Sequence, residues 1–103
     1  MKRTMKSITL SAKNMRTKGQ AHAYIKQEMG FPDYYGENLD ALWDMLTGEN
    51  EELEIILTDC DLLREDLGEY GEKLLETFVQ AGEENPILSI EVLGRGPDQS
   101  GGE

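Results

Sequence analysis

The sequence is poor in the residue types that build disulfides, metal sites and nucleophilic active sites. Its 103 residues include one cysteine, Cys60, and one histidine, His22. This scarcity excludes an internal disulfide and the usual zinc sites, which need several Cys and His ligands. No apolar run approaches the roughly eighteen residues of a membrane-spanning helix, and no apolar signal-peptide core is present. We therefore expect a cytoplasmic protein that binds no metal ion and no cofactor.

Basic residues are scarce relative to acidic ones. The chain has 10 Lys and Arg residues against 21 Asp and Glu, which gives a net charge of −11. Such a surface repels nucleic acid and anionic membranes, so neither is expected as a direct partner. A chain of this length forms one domain with a modest core. We expect a monomer when free, and a basic protein as any charge-driven partner.

The apolar pattern alternates between strand-like and helix-like segments. Strands are predicted over residues 5–10, 53–58 and 87–93, and helices over residues 18–29, 38–47 and 69–80. A further short helical turn is predicted through Leu62, Leu63 and Leu67. The second strand is continuously apolar from Ile55 to Leu57, which is typical of a parallel strand buried on both faces. The order predicts an α/β domain over residues 1–94, with a three-stranded parallel sheet and about four helices. Residues 95–103 contain no apolar residue and are expected to form a disordered tail.

Some helix boundaries can be predicted from local hydrogen bonding. Thr17, followed by Gln20 three residues later, is typical of a helix N-cap. Asp59 or Asp61 is expected to cap the short third helix, and Gly68 to end it.

The stretch 34–48, which reads YYGENLDALWDMLTG, predicts an amphipathic helix preceded by a connector. Asn38 is a good N-cap for this helix, and Gly48 is expected to end it. The apolar side of the helix is formed by Leu39, Leu42, Trp43 and Leu46. The connector is expected to present Tyr34 and Tyr35 on the surface.

Two carboxylates share the flank of this helix next to Trp43. Asp40 lies in the first turn, where the helix dipole favours a negative charge, but Asp44 lies near the opposite end, where the dipole disfavours one. Repulsion between like charges four residues apart adds about 0.2–0.5 kcal/mol. Acidic residues that are unfavourable for the stability of their own helix, and that lie beside Tyr and Trp, suggest a binding surface. A solvated acidic face without a specific role would show the same pattern.

This stretch resembles the central segment of the barstar family, whose members inhibit a bacterial ribonuclease. The resemblance is residue for residue over 34–44 and 46–48, and it continues more loosely from Met5 to about Leu93. It implies a barstar-like fold of three strands and four helices, and a basic ribonuclease as the protein partner. The implied function is that of an immunity protein that blocks a ribonuclease with carboxylates in place of RNA phosphates.

The resemblance also implies which residues form the binding surface. They are Tyr34, Gly36, Asn38, Asp40, Trp43, Asp44, Thr47, Gly48 and Gln80. Asp44 is expected to enter the catalytic centre and pair with its cations, and Asp40 to bind a basic residue at its edge. Gln80 stands where the family has a glutamate, and Glu49 where it has an aromatic residue. These two differences predict a related but different target.

Two other functions remain open from the residues alone. A binding module of the same fold could serve another basic protein, such as a nuclease toxin that acts on DNA or a regulator. An enzyme could use Asp40 and Asp44 for acid–base chemistry, but the sequence indicates no apolar cleft that would raise one pKa. Cys60 and His22 could form a nucleophile and base, yet we expect a core thiol and a surface histidine. We therefore expect that the protein is not an enzyme.

Overall fold

The computed structural model describes residues 6–94, and its elements follow the predicted order. They are the strand β1 (Lys6–Ser11), one turn of 3-10 helix (Ala12–Asn14), the helices α1 (Lys18–Met29) and α2 (Leu39–Thr47), the strand β2 (Leu53–Thr58), the helices α3 (Asp61–Leu67) and α4 (Glu69–Glu84), and the strand β3 (Leu88–Val92). The strands form one parallel sheet in the order β1-β2-β3. This arrangement confirms the predicted α/β fold with a three-stranded parallel sheet and four α-helices.

The C-terminal part of the fold differs from the prediction in its boundaries. The helix α4 continues past Gln80 through the fully buried Ala81 and ends at Glu84. The predicted disordered tail, residues 95–103, lies outside the described residues. Within residues 6–94, no helix combines the length and apolar character that a membrane crossing requires.

The helices cover one face of the sheet and leave the other face to solvent. Ile8, Ile55 and Ile90 are in register across the three strands and point toward the helices. The other face carries side chains that are exposed on the outer strands: Ser7, Thr9, Ser89 and Glu91. On β2, Ile56 is only half-buried, so the expectation of a strand buried on both faces is wrong. Its partial burial reflects the central place of β2, which both neighbouring strands shield.

Local hydrogen bonds decide where the helices begin. The hydroxyl of Thr17 accepts a hydrogen bond from the backbone N–H of Gln20 at 3.1 Å, which confirms the predicted cap of α1.

Neither Asp59 nor Asp61 caps α3 with its side chain, so that prediction is wrong. The carboxylate of Asp59 instead accepts a hydrogen bond from the hydroxyl of Ser11 at 3.1 Å, which ties the ends of β1 and β2 together. Gly68, with a φ of 60°, ends α3 as predicted.

The helices α2 and α4 pack against each other within the core. Their buried residues are Leu42 and Leu46 from α2, and Leu74, Phe78 and Ala81 from α4. Each large apolar side chain contributes about 1.5–3 kcal/mol when it is removed from water. This packing fixes the orientation of α2 and directs its opposite flank to solvent.

Candidate functional site

The N-terminal end of α2 is held by hydrogen bonds from Asn38. Its Oδ1 accepts from the N–H of Ala41 at 2.7 Å, and its Nδ2 donates to the carbonyl of Gly36 at 3.3 Å. The predicted N-cap is therefore confirmed. Glu37 has a φ of 56°, in the left-handed region that few residues other than glycine adopt. The turn over residues 36–38 is thus tightly specified, and it sets where α2 begins.

The outward flank of α2 carries Asp40 and Asp44 on successive turns. Both residues are exposed, and within residues 6–94 neither carboxylate forms a hydrogen bond or ion pair. Leu42 and Leu46 are fully buried on the opposite side, while Trp43 is half-buried at the margin. The predicted packing side is confirmed. The flank is an acidic surface bordered by a partly exposed indole ring.

The C-terminal end of α2 is held by a side chain from a distant part of the sequence, Asn85. Its Nδ2 donates to three backbone carbonyls, those of Leu46, Thr47 and Glu49, at 3.2, 3.3 and 3.0 Å. The hydroxyl of Thr47 also donates to the carbonyl of Trp43 at 2.8 Å. Sequence reasoning missed the role of Asn85, because a capping partner so far along the chain leaves no local pattern. As a result, the flank lies on a short helix that is fixed at both ends.

The connector before α2 exposes one tyrosine and buries the other. Tyr34 is 84% exposed, whereas Tyr35 is 5% exposed. The ring centroids of Tyr35 and Phe31 are 4.9 Å apart. The backbone N–H of Tyr35 donates to the carbonyl of Pro32 at 3.0 Å. The prediction that the connector presents both tyrosines is therefore wrong for Tyr35, because the turn directs the two neighbouring side chains apart.

His22 lies inside the core, so the prediction of a surface histidine is wrong. It is 1% exposed, and its Nδ1 and Nε2 lie 2.7 and 2.6 Å from the hydroxyls of Tyr35 and Tyr70. Burial lowers the pKa of His22 below its usual 6.5, while the charge of Glu37 acts in the opposite direction. Burial also raises the pKa of both tyrosines. The prediction failed because the hydrophobicity pattern of α1 does not show that two hydroxyls from other parts of the chain form hydrogen bonds with the buried imidazole.

Cys60 is a buried thiol, as predicted, and its surroundings do not support nucleophilic chemistry. Its Sγ donates to the carbonyl of Leu57 at 3.4 Å, and burial raises its pKa. Both ring nitrogens of His22 are bonded to tyrosines, so the two residues do not form a catalytic pair. Among the residues that the structure describes, no group of three or more His, Cys, Asp or Glu side chains is arranged to hold a metal ion.

The other predicted site residues, Gly36, Gly48 and Gln80, are exposed. A Cβ at Gly48 would lie 3.0 Å from the carbonyl oxygen of Asp44, so a larger residue would crowd the end of α2. Gln80 lies on α4, the helix that packs against α2. The place of Gln80 in the binding surface stays a prediction.

Two comparisons relate this chain to known proteins. Residues 5–92 match the family model described as Barstar (barnase inhibitor). A protein of Bacillus subtilis (strain 168) named "Putative ribonuclease inhibitor YrdF" is 37% identical over 81 residues, which span 78% of this chain and 89% of the relative. The family match includes every helix and strand described above.

Proposed function

The chain belongs to the barstar family, and we propose that it is a protein inhibitor that binds and blocks the active site of a basic bacterial ribonuclease. We assign the inhibitor domain to residues 1–94, of which the structure describes residues 6–94. The observation that carries the proposal is the pair of exposed carboxylates of Asp40 and Asp44, which have no hydrogen-bond or ion-pair partner within residues 6–94, on a helix whose two ends are fixed.

The chemistry of a ribonuclease explains why such a flank would inhibit it. An enzyme that cleaves RNA binds a polyanion, so its active site presents Arg, Lys and His side chains. Two carboxylates on successive helix turns, with Cβ atoms about 5–6 Å apart, can accept hydrogen bonds from those cations in place of phosphates. Within residues 6–94 neither carboxylate has an internal ion pair to break first. The net charge of −11 also speeds encounter with a basic partner.

Each residue of the surface has a role in this proposal. Asp44 pairs with cations of the catalytic centre, and Asp40 with a basic residue at its edge. Tyr34 and Trp43 cover apolar surface and exclude water, which strengthens the charge pairs. The other residues allow close approach or supply polar atoms at the rim; they are Gly36, Asn38, Thr47, Gly48 and Gln80.

We infer that the protein acts in the cytoplasm as an immunity protein for a cell that makes the ribonuclease. Two residues favour a target that differs from the family's usual one. Gln80 supplies no negative charge where the family has a glutamate, and Glu49 supplies no ring where it has an aromatic residue. The alternative target that fits the same acidic flank is another basic protein, such as a nuclease toxin that acts on DNA.

Inhibition of RNA cleavage tests the proposal. The purified protein is added to barnase-like ribonucleases, and the initial rate of cleavage is measured over a range of inhibitor concentrations. Asp44→Asn should weaken inhibition by about 3–5 kcal/mol, or roughly two to four orders of magnitude in Kd, because cations in a water-excluded site lose their partner. Glu91→Gln is the matched control, since it makes the same change in net charge on the open face of the sheet.

The outcomes separate the target from the site. If none of these ribonucleases is inhibited, the target class is wrong. If Asp44→Asn and Glu91→Gln change inhibition equally, only overall charge matters and the site assignment fails.

A further inference from the structure

His22 joins three elements of the fold through a single buried ring. It lies on α1, its Nδ1 is 2.7 Å from the hydroxyl of Tyr35 in the connector, and its Nε2 is 2.6 Å from the hydroxyl of Tyr70 in the first turn of α4. None of these three side chains belongs to the acidic flank. Tyr35 directly follows Tyr34 in the chain.

The burial of His22 and Tyr35 specifies where the hydrogens lie. Tyr35 is buried, and within residues 6–94 its hydroxyl has one hydrogen-bond partner, Nδ1 of His22. Tyr35 therefore donates to Nδ1, so Nε2 of the neutral ring carries the proton and donates to the oxygen of Tyr70. Tyr70 is partly exposed, and its own hydroxyl hydrogen can reach water. This arrangement satisfies every donor, and it requires His22 to be neutral.

The connector depends on this anchor because regular structure does not hold it. Residues 31–38 belong to no helix or strand, and a turn closed by Tyr35 and Pro32 lies at their centre. The side chain of Tyr35 ties that turn to the core through its hydroxyl and through Phe31. The neighbouring residue, Tyr34, is 84% exposed and is carried by the same turn.

We propose that His22 is a positioning residue of the ribonuclease-binding surface: by binding Tyr35 and Tyr70 together, it fixes the turn that presents Tyr34 beside the acidic flank of α2. The proposal rests on the proposed function, since it assigns Tyr34 a contact with the ribonuclease. It differs from a purely structural role, because it makes the contribution of Tyr34 to binding depend on His22 while leaving that of Asp44 unchanged.

The hydrogen bonds of the network depend on the protonation state of His22. Glu37 in the connector faces His22, and the Nζ of Lys18 on α1 lies 4.7 Å from the ring centroid of Tyr70. A proton added at Nδ1 of His22 would face the oxygen of Tyr35 and remove the acceptor for its hydroxyl. The protonated ring would donate to the oxygen of Tyr35 instead, and the hydroxyl hydrogen of Tyr35 would be left inside the core without an acceptor, which weakens the tie between the connector and the core.

A double-mutant cycle on ribonuclease binding tests the proposal. The Kd for a ribonuclease that the unmodified protein inhibits is measured for Tyr34→Ala, His22→Gln and the double variant, all confirmed as folded by circular dichroism. Tyr34→Ala should weaken binding roughly tenfold in the unmodified background and less than about threefold in the His22→Gln background. Asp44→Asn should have the same effect in both backgrounds. Equal effects of Tyr34→Ala in both backgrounds would overturn the proposal.

Tyr70→Phe replaces His22→Gln if that variant does not fold, because it removes one of the two hydrogen bonds and keeps the ring. Its matched control is Tyr24→Phe, which deletes a tyrosine hydroxyl that accepts from the backbone N–H of Ser11 at 3.0 Å, away from the connector. Tyr70→Phe should reduce the contribution of Tyr34 to binding, and Tyr24→Phe should not. The same reduction in both variants would contradict a specific anchor.

Hydrogen exchange of the free protein separates this proposal from the proposed function. In His22→Gln or Tyr70→Phe, backbone amides over residues 33–37 should exchange at least severalfold faster, while those of α2 change little. If no ribonuclease is bound, the proposed function fails, but this comparison still decides whether His22 anchors the connector. Unchanged exchange in the connector, or equal acceleration throughout the fold, would show that it does not.

Discussion

Asn85 is predicted to hold the C-terminal end of α2, and changing its side-chain amide tests that role. Asn85→Ala removes the donor that serves the carbonyls of Leu46, Thr47 and Glu49. One amide group has two hydrogens, so at most two strong bonds are lost at a time, with a net cost of about 1–3 kcal/mol. Asn85→Asp keeps the shape but directs a carboxylate at those oxygens and at the negative end of the helix dipole, which adds about 0.3–1 kcal/mol.

The expected order of stability is therefore unmodified protein, then Asn85→Ala, then Asn85→Asp, although Asp is the closer match in shape. Urea unfolding followed by circular dichroism measures the free energies, and thermal unfolding should show a loss of about 4–8 °C per kcal/mol for a domain of this size. Asn50→Ala and Asn50→Asp, in the exposed loop after α2, are the matched controls and should change stability little. If Asn85→Asp is as stable as the unmodified protein, Asn85 does not cap α2.

Two further predictions concern pH and the target. Because the folded pKa of His22 is lowered, the unfolded chain binds a proton first as the pH falls below about 6.5, and stability should fall by up to about 1.4 kcal/mol per pH unit. Unfolding measured between pH 7 and pH 5.5 should show this loss in the unmodified protein and a smaller one in His22→Gln, and parallel profiles would contradict it. Gln80→Glu should tighten binding to a barnase-like ribonuclease by restoring the charge of the family, whereas unchanged or weaker binding in a titration would place Gln80 outside the contact.

Sequence reasoning predicted the features that depend on neighbouring residues. The period of the apolar residues gave the order of strands and helices, and the caps at Thr17 and Asn38 were confirmed by hydrogen bonds over three residues. The exposure of Asp40 and Asp44 follows from the same helical geometry, since Leu42 and Leu46 occupy the buried side.

Sequence reasoning missed the roles of two side chains, His22 and Asn85, whose partners lie far along the sequence. His22 appeared polar and therefore exposed, but Tyr35 and Tyr70 satisfy both of its ring nitrogens inside the core. Asn85 stands before a proline and gives no local sign that it holds the end of a helix 36–39 residues earlier. In each case the energy comes from a hydrogen bond that exists only after folding, so no local pattern could reveal it.

The most direct test of the central claim is competition between this protein and a non-cleavable RNA analogue for one ribonuclease. If the carboxylates of Asp40 and Asp44 occupy the phosphate sites, the two ligands exclude each other, and the apparent Kd of the protein rises in proportion to the analogue concentration. A ternary complex, in which the ribonuclease holds the analogue and this protein together with unchanged affinity, would contradict the account.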